Sequence, residues 1–276
     1  MMRSLLVLLL AAASMAPANS YDSEVMQWRA DRRAKLMKDD SWLTLAGLFW
    51  LHDGVNDITL PTHPPSNVKL VLRNGRVTLG NQILRDDTDA QGPTLLHNGS
   101  VSWEVIRRED ISGPRLGIRV KDTGSEARKN FKGLDYFPIN PSYRVVAHFE
   151  PYNPPKKISI TSVLGMTSQE TAPGALVFQL QGKTLRLDPI WDMSDPEPRN
   201  LFIIFKDQTS GKETYAAARY MYAHPPDAKG NTIVDFNKSY NPPCVFTHFA
   251  TCPLPPTQNR LPIRIEAGEK KYAGHA

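Results

Sequence analysis

Ten short runs of β-branched, aromatic and other apolar residues, each closed off within a few positions by turn formers, restrict this chain to a fold built from sheets. They lie at 68–72, 76–79, 101–106, 116–120, 143–149, 158–164, 175–180, 184–187, 201–205 and 214–222. Asn74-Gly75 separates the first two, and such a dipeptide between alternating runs marks a tight hairpin because both residues tolerate positive φ. Gln181-Gly182 and Thr209-Ser210-Gly211 supply two further hairpin-type turns. Strands this short, with no strand-helix alternation between them, predict a mainly β fold: a single-domain antiparallel β-barrel or sandwich.

One helix is expected at 24–37, where Val25, Trp28, Leu36 and Met37 recur among charged residues and Asp22 or Ser23 is placed to cap it. The run 42–51, WLTLAGLFWL, is apolar almost throughout and reads as core, Trp42 and Trp50 included. The polar stretch 119–133 is expected as a short helix or a flap. A break there would leave open sheet edges on both sides, so 21–276 is read as one domain. With 41% hydrophobic residues in 276, the chain has enough apolar surface for a substantial core.

The first twenty residues differ from the rest. Arg3, the apolar run 5–13 and the small residues Ala16-Pro17-Ala18 have the form of a secretory signal peptide, so a periplasmic or secreted protein is expected. That run is too short to span a bilayer, and no transmembrane segment is expected once it is removed. Net charge is +5, or +4 without Arg3, and it is spread along the chain. The densest basic group, Arg29, Arg32, Arg33, Lys35 and Lys38, fits the solvated face of the helix, so no nucleic-acid partner is expected.

Cys244 and Cys252, the only cysteines, predict a disulfide in an exported chain, worth about 2.5 kcal/mol for a loop this short. With His248 they form a C-x3-H-x3-C cluster, but a structural zinc takes four ligands, so no metal is assigned. The nucleophile elbow, the paired-histidine zinc motif and the glycine-rich phosphate loops do not occur, and no cofactor is indicated.

Residues 235–270 are proline-rich and cannot form a plain helix or strand, because proline lacks the backbone N–H and restricts its predecessor. A shaped loop of this length is where a site is expected. Asp235 and Glu269 are candidates for an acid/base pair, and Asn259 with Arg260 for an anion clamp, beside Asn237 and Tyr240. Arg128, in the polar stretch, is the candidate cation of a lid. The same polar groups can equally satisfy the loop's own backbone. Two functions follow: binding or hydrolysis of a small polar or anionic ligand in a cleft shaped by 235–270, or a non-catalytic structural or interaction protein of the cell envelope, with this loop as a plug.

WLTLAGLFWL, RLGIRVKD, FKGLDYFP, RVVAHFEPY, DQTSGKETY and the whole of 235–270 resemble a bacterial family catalogued as a domain of unknown function, number 1684, over nearly all of the mature chain. The resemblance implies one domain and no particular reaction. It implies signature roles for Asp235, Asn237, Tyr240, Asn241, Cys244, Cys252, Asn259, Arg260, Gly268 and Glu269. His248 departs from that pattern, which weakens a metal role further.

Overall fold

The structure is a computed structural model that describes residues 21–192 and 200–274. The expected signal segment lies outside the described residues. Helix α1 (Tyr21–Leu36) starts three residues before the expected helix, so Asp22 and Glu24 lie in its first turn, with Arg33 and Lys35 in its last. Those charges oppose the helix dipole at both ends. Its buried contacts come from Val25 and Leu36.

Eight strands follow: β1 (Leu45–Trp50), β2 (Gly54–Leu60), β3 (Ser66–Arg73), β4 (Arg76–Leu79), β5 (Gln82–Leu84), β6 (Leu96–Asn98), β7 (Val101–Arg108) and β8 (Arg115–Asp122). They form two antiparallel sheets, β1-β8-β7-β6 and β2-β3-β4-β5. Between the sheets, Ile58, Leu60, Leu70 and Leu72 meet Trp103, Val105, Ile118 and Val120 in one core. Each fully buried side chain of this size contributes about 1.5–3 kcal/mol. At the β3–β4 turn Asn74 and Gly75 have φ of 50° and 70°, as the hairpin signal requires.

Of the polar stretch 119–133, residues 119–122 complete β8 and only Glu126–Lys129 form a short helix, α2, with Ser125 as its cap. Then come β9 (Arg144–Thr161), β10 (Thr167–Leu180), β11 (Lys183–Leu187), β12 (Ile190–Trp191), β13 (Leu201–Phe205), β14 (Arg219–Ala223) and β15 (Asn231–Asp235). Their sheets are β11-β10-β9-β15 and β12-β13-β14. Gln181 and Gly182 turn β10 into β11 with φ of 53° and 73°. The strand expected from 214 begins only at Arg219, because 207–214 wraps around the buried Asp207. That carboxylate accepts the Thr209 hydroxyl at 2.8 Å and the Ile265 N–H at 2.7 Å.

The chain is therefore mainly β and antiparallel, with sandwich-like packing and an N-terminal helix. Residues 235–270 carry little regular structure yet are well buried. Leu261, Ile263, Ile265 and Ala267 enter the core of the β9–β15 sheets. Val245 and Phe246 pack on Leu36 and Leu43, and Cys244, Ala250 and Cys252 on Leu45 and Tyr220. The proline-rich segment thus bridges the helix, the first sheet and the later strands. Among the described residues no helix is long and apolar enough to cross a membrane.

Candidate functional site

Residues 235–270 are held from within by Arg219, which is fully buried. Its Nη1 donates to the Ile265 carbonyl at 3.0 Å, and its Nη2 to Ser239 Oγ at 2.6 Å and to the Ala267 carbonyl. Burial lowers the pKa of this guanidinium from its ordinary value, and Asp207 opposes the shift. Next along the chain Gly268 has φ of +77°, and an added Cβ would lie 2.1 Å from Ser239 Oγ. Only glycine fits there.

The acid/base candidates serve structural partners. Glu269 is 1% exposed; one oxygen accepts Arg32 Nε at 3.0 Å and the other the Asn241 N–H at 2.7 Å. Asp235 accepts the Tyr21 hydroxyl at 2.8 Å and the Asn237 N–H at 3.1 Å. The Asn237 amide donates to the Asn140 carbonyl at 2.9 Å and accepts the Asn140 N–H at 3.0 Å. These groups close the end of β15 against α1 and the loop before β9.

The expected clamp is not assembled either. The Asn259 side chain accepts the Asp188 N–H at 2.8 Å and donates to the Asp188 and Ile204 carbonyls at 3.0 and 2.9 Å. Arg260, its neighbour, is exposed. Arg128 donates to the Thr123 carbonyl at 3.0 Å, the Met37 carbonyl at 2.8 Å and Asp39 at 2.6 Å, fastening α2 to the end of α1. So the structure groups Asp235 with Asn237, joins Glu269 to Tyr240 through Arg32, and leaves Asn259, Arg260 and Arg128 apart from both.

The disulfide expected between Cys244 and Cys252 is corrected by the structure: both are free, buried thiols. The loop between them brings the Cys244 N–H to 3.0 Å from Cys252 Sγ, a hydrogen bond in place of a sulfur–sulfur bond. A hydrogen bond between the two thiol groups lowers the Cys244 thiol's pKa, while burial pushes the Cys252 thiol up.

What the segment does shape is a hollow of about 200 Å³ against the first sheet. Strand β8 explains its floor. Alternate residues of a strand face opposite sides; Leu116, Ile118 and Val120 enter the sandwich core, while Arg119 and Lys121 share the other face. Arg119 pairs in register with Glu104 on β7. Arg119 and Arg108 line the hollow together with Thr251, Cys252, Tyr220 and Tyr240.

The charges at this floor do not balance. Arg108 makes a 2.7 Å ion pair with Asp87, while Arg119 Nη1 stands 3.9 Å from both Asp87 and Glu104, and Lys121 is 3.9 Å from Glu104. At the floor itself three cations face two carboxylates, and a third carboxylate, Asp192, hydrogen-bonds Tyr222 at the wall. Arg119 is 8% exposed, and its Nε is buried with no hydrogen-bond partner. Burial lowers its pKa from the ordinary value, and neighbouring Arg108 pushes the same way against Asp87 and Glu104. A buried polar group without a partner is rare in folded proteins.

Rings make the rest of the wall. Phe202 packs edge-on against Tyr220 at 5.0 Å and tilted against Tyr222 at 5.1 Å; Tyr222 stacks on Tyr240 at 6.3 Å. Arg32 lies 4.6 Å from the Tyr240 ring centroid. Burial raises the Tyr240 hydroxyl to about 12, with Arg32 opposing. Trp42, read from sequence as core, is 39% exposed and lines the hollow. A second hollow of about 400 Å³ adjoins, sharing Arg108, Phe202, Thr251 and Pro253.

A larger hollow of about 800 Å³ lies by α2. It is lined by charges of both signs, Arg33 and Lys132 with Glu126 and Asp135, and by none of the unpartnered buried groups. Among the described residues no group of three or more His, Cys, Asp or Glu side chains is placed to hold a metal ion. Of the site and cysteine residues singled out from sequence, only Tyr240 and Cys252 line the hollow; Trp42, which also lines it, was expected as core, and Arg108 and Arg119 were not among the candidates. The signal for Arg119 was present as a charged face on a strand whose alternate positions are apolar.

No curated protein matches this chain. It is similar to an uncharacterized protein of Haloarcula marismortui known from a solution NMR structure, at 32% identity over 54% of this chain and 81% of that one, with a TM-score of 0.44. The family model described as "Protein of unknown function (DUF1684)" matches residues 129–270, a shorter stretch than the expected resemblance over nearly all of the mature chain. It includes the rings of the hollow from Phe202 to Tyr240 and stops short of Arg108 and Arg119. By that match, the chain belongs to the DUF1684 family.

Proposed function

We propose that this protein binds a small anionic ligand in the hollow between β8 and the 235–270 segment. The observation that carries this reading is Arg119, a buried guanidinium with an unpartnered Nε at the floor of an aromatic-walled hollow. Removed from water, a cation is costly unless it is paired and hydrogen-bonded. A carboxylate or similar anion would supply both, and the low-polarity wall would strengthen the contact. Binding is favoured over hydrolysis because Asp235 and Glu269 are engaged elsewhere and neither lines the hollow.

The apolar run at 5–13 and the small residues after it support an exported location, periplasmic or secreted. Mass determination of the N-terminus of protein recovered from the envelope fraction tests that part; an intact residue 1 contradicts it.

The binding reading is tested by thermal shift with small anions and their neutral isosteres. A ligand present at about 100 times its Kd stabilises the folded state by roughly 2.7 kcal/mol. Anions are expected to raise Tm in the wild type and not in Arg119→Gln. Equal shifts for neutral isosteres, or none for any anion, would contradict it. A structural role is favoured by one observation, the ion pair of Glu269 with Arg32, and the 235–270 segment fills both roles without conflict.

A further inference from the structure

We infer that the ligand is a planar aromatic monocarboxylate, its carboxylate on Arg119 and Arg108 and its ring against the tyrosine wall. This rests on the reading of the hollow as an anion site and narrows it by donor geometry, size and shape.

Donor geometry comes first. Arg108 Nε already donates to Thr251 Oγ1 at 3.3 Å and its Nη1 to Asp87, so its Nη2 and the Arg119 guanidinium remain for a two-oxygen group. Planar guanidinium and planar carboxylate match edge to edge.

Size is the second constraint. About 200 Å³ corresponds to roughly six or seven waters at liquid density, and lies below the range for drug-sized ligands. A single ring bearing a carboxylate is of that order. Shape is the third. Trp42, Phe202, Tyr220, Tyr222 and Tyr240 are all rings, and their geometry is fixed by mutual packing and by the Tyr220 hydroxyl donating to the Pro253 carbonyl at 2.7 Å. Flat rigid walls favour a flat rigid partner, which loses little conformational freedom on binding. Ring-on-ring contact adds to the area buried.

The test is calorimetric titration of the full chain with benzoate, acetate, inorganic phosphate and benzamide. Benzoate is expected to bind at least about tenfold more tightly than acetate or phosphate, a difference of about 1.4 kcal/mol, with no binding of benzamide. Because Arg119→Gln also removes a partner of Glu104, a second variant keeps the test sharp. Tyr222 is 46% exposed, so Tyr222→Leu is expected to fold normally and to weaken benzoate by a larger factor than acetate. If acetate or phosphate matches benzoate, the aromatic class is wrong and the anion site stands. If benzamide matches benzoate, or none of the four binds, both readings fall.

Discussion

Glu269, fully buried near the end of the proline-rich segment, receives Arg32 Nε at 3.0 Å from just before the last turn of helix α1. The two residues are 237 positions apart in sequence. Removing one partner of a buried pair strands the other charge, at a cost of about 3–5 kcal/mol. Glu269→Ala is therefore expected to lower stability by that order in urea unfolding. Retained stability with lost ligand binding would return Glu269 to a direct role in the site.

Asn259 and Arg260 are adjacent in sequence and opposite in consequence. Asn259→Ala leaves three buried backbone groups of Asp188 and Ile204 without partners and is expected to destabilise by about 2–3 kcal/mol. Arg260 is exposed, and Arg260→Ala is expected to change neither Tm by more than a few degrees nor the response to anions. Loss of the anion response in Arg260→Ala would overturn this division.

The scaffold was legible in the sequence because its signals are local. Asn74-Gly75 and Gln181-Gly182 each dictate a turn within four residues, and both adopt the positive φ that their types permit. The 235–270 segment was recognisable as shaped because proline excludes regular structure. Its polar residues were harder to assign: a carboxylate such as Glu269 looks the same in sequence whether it meets a ligand or Arg32. Arg119 was hidden for the opposite reason. It lies inside an ordinary strand, and only the packing of residues 240–253 across β8 makes its face the floor of a hollow.

Tyrosine ionisation offers a pH test. Tyr240, packed among Trp28, Tyr220 and Tyr222, is pushed up to about 12, first by burial, against about 10 in an unfolded chain. Below pH 10 both states hold the proton and the contribution to stability is complete. Between about 10 and 12 only the unfolded chain releases it, so stability falls as pH rises. Urea midpoints are expected to be insensitive to pH from 8 to about 10 in respect of this group and to drop above that, less so in Tyr240→Phe. An identical drop in Tyr240→Phe would assign the effect to other tyrosines.

The thiols give a chemical check. Alkylation after unfolding without reductant is expected to label both Cys244 and Cys252, and labelling of the folded protein to be slow because both are buried. A chain two mass units lighter with no label would mean that the pair oxidises once folded.

The guanidinium resonances of Arg119 test the central claim most directly. In two-dimensional nitrogen–proton spectra of the side chain, identified by their absence in Arg119→Gln, these signals are expected to shift on adding benzoate and to stay in place with benzamide. Unchanged Arg119 signals at benzoate concentrations that raise Tm would contradict the claim that this buried, unpartnered arginine receives the ligand.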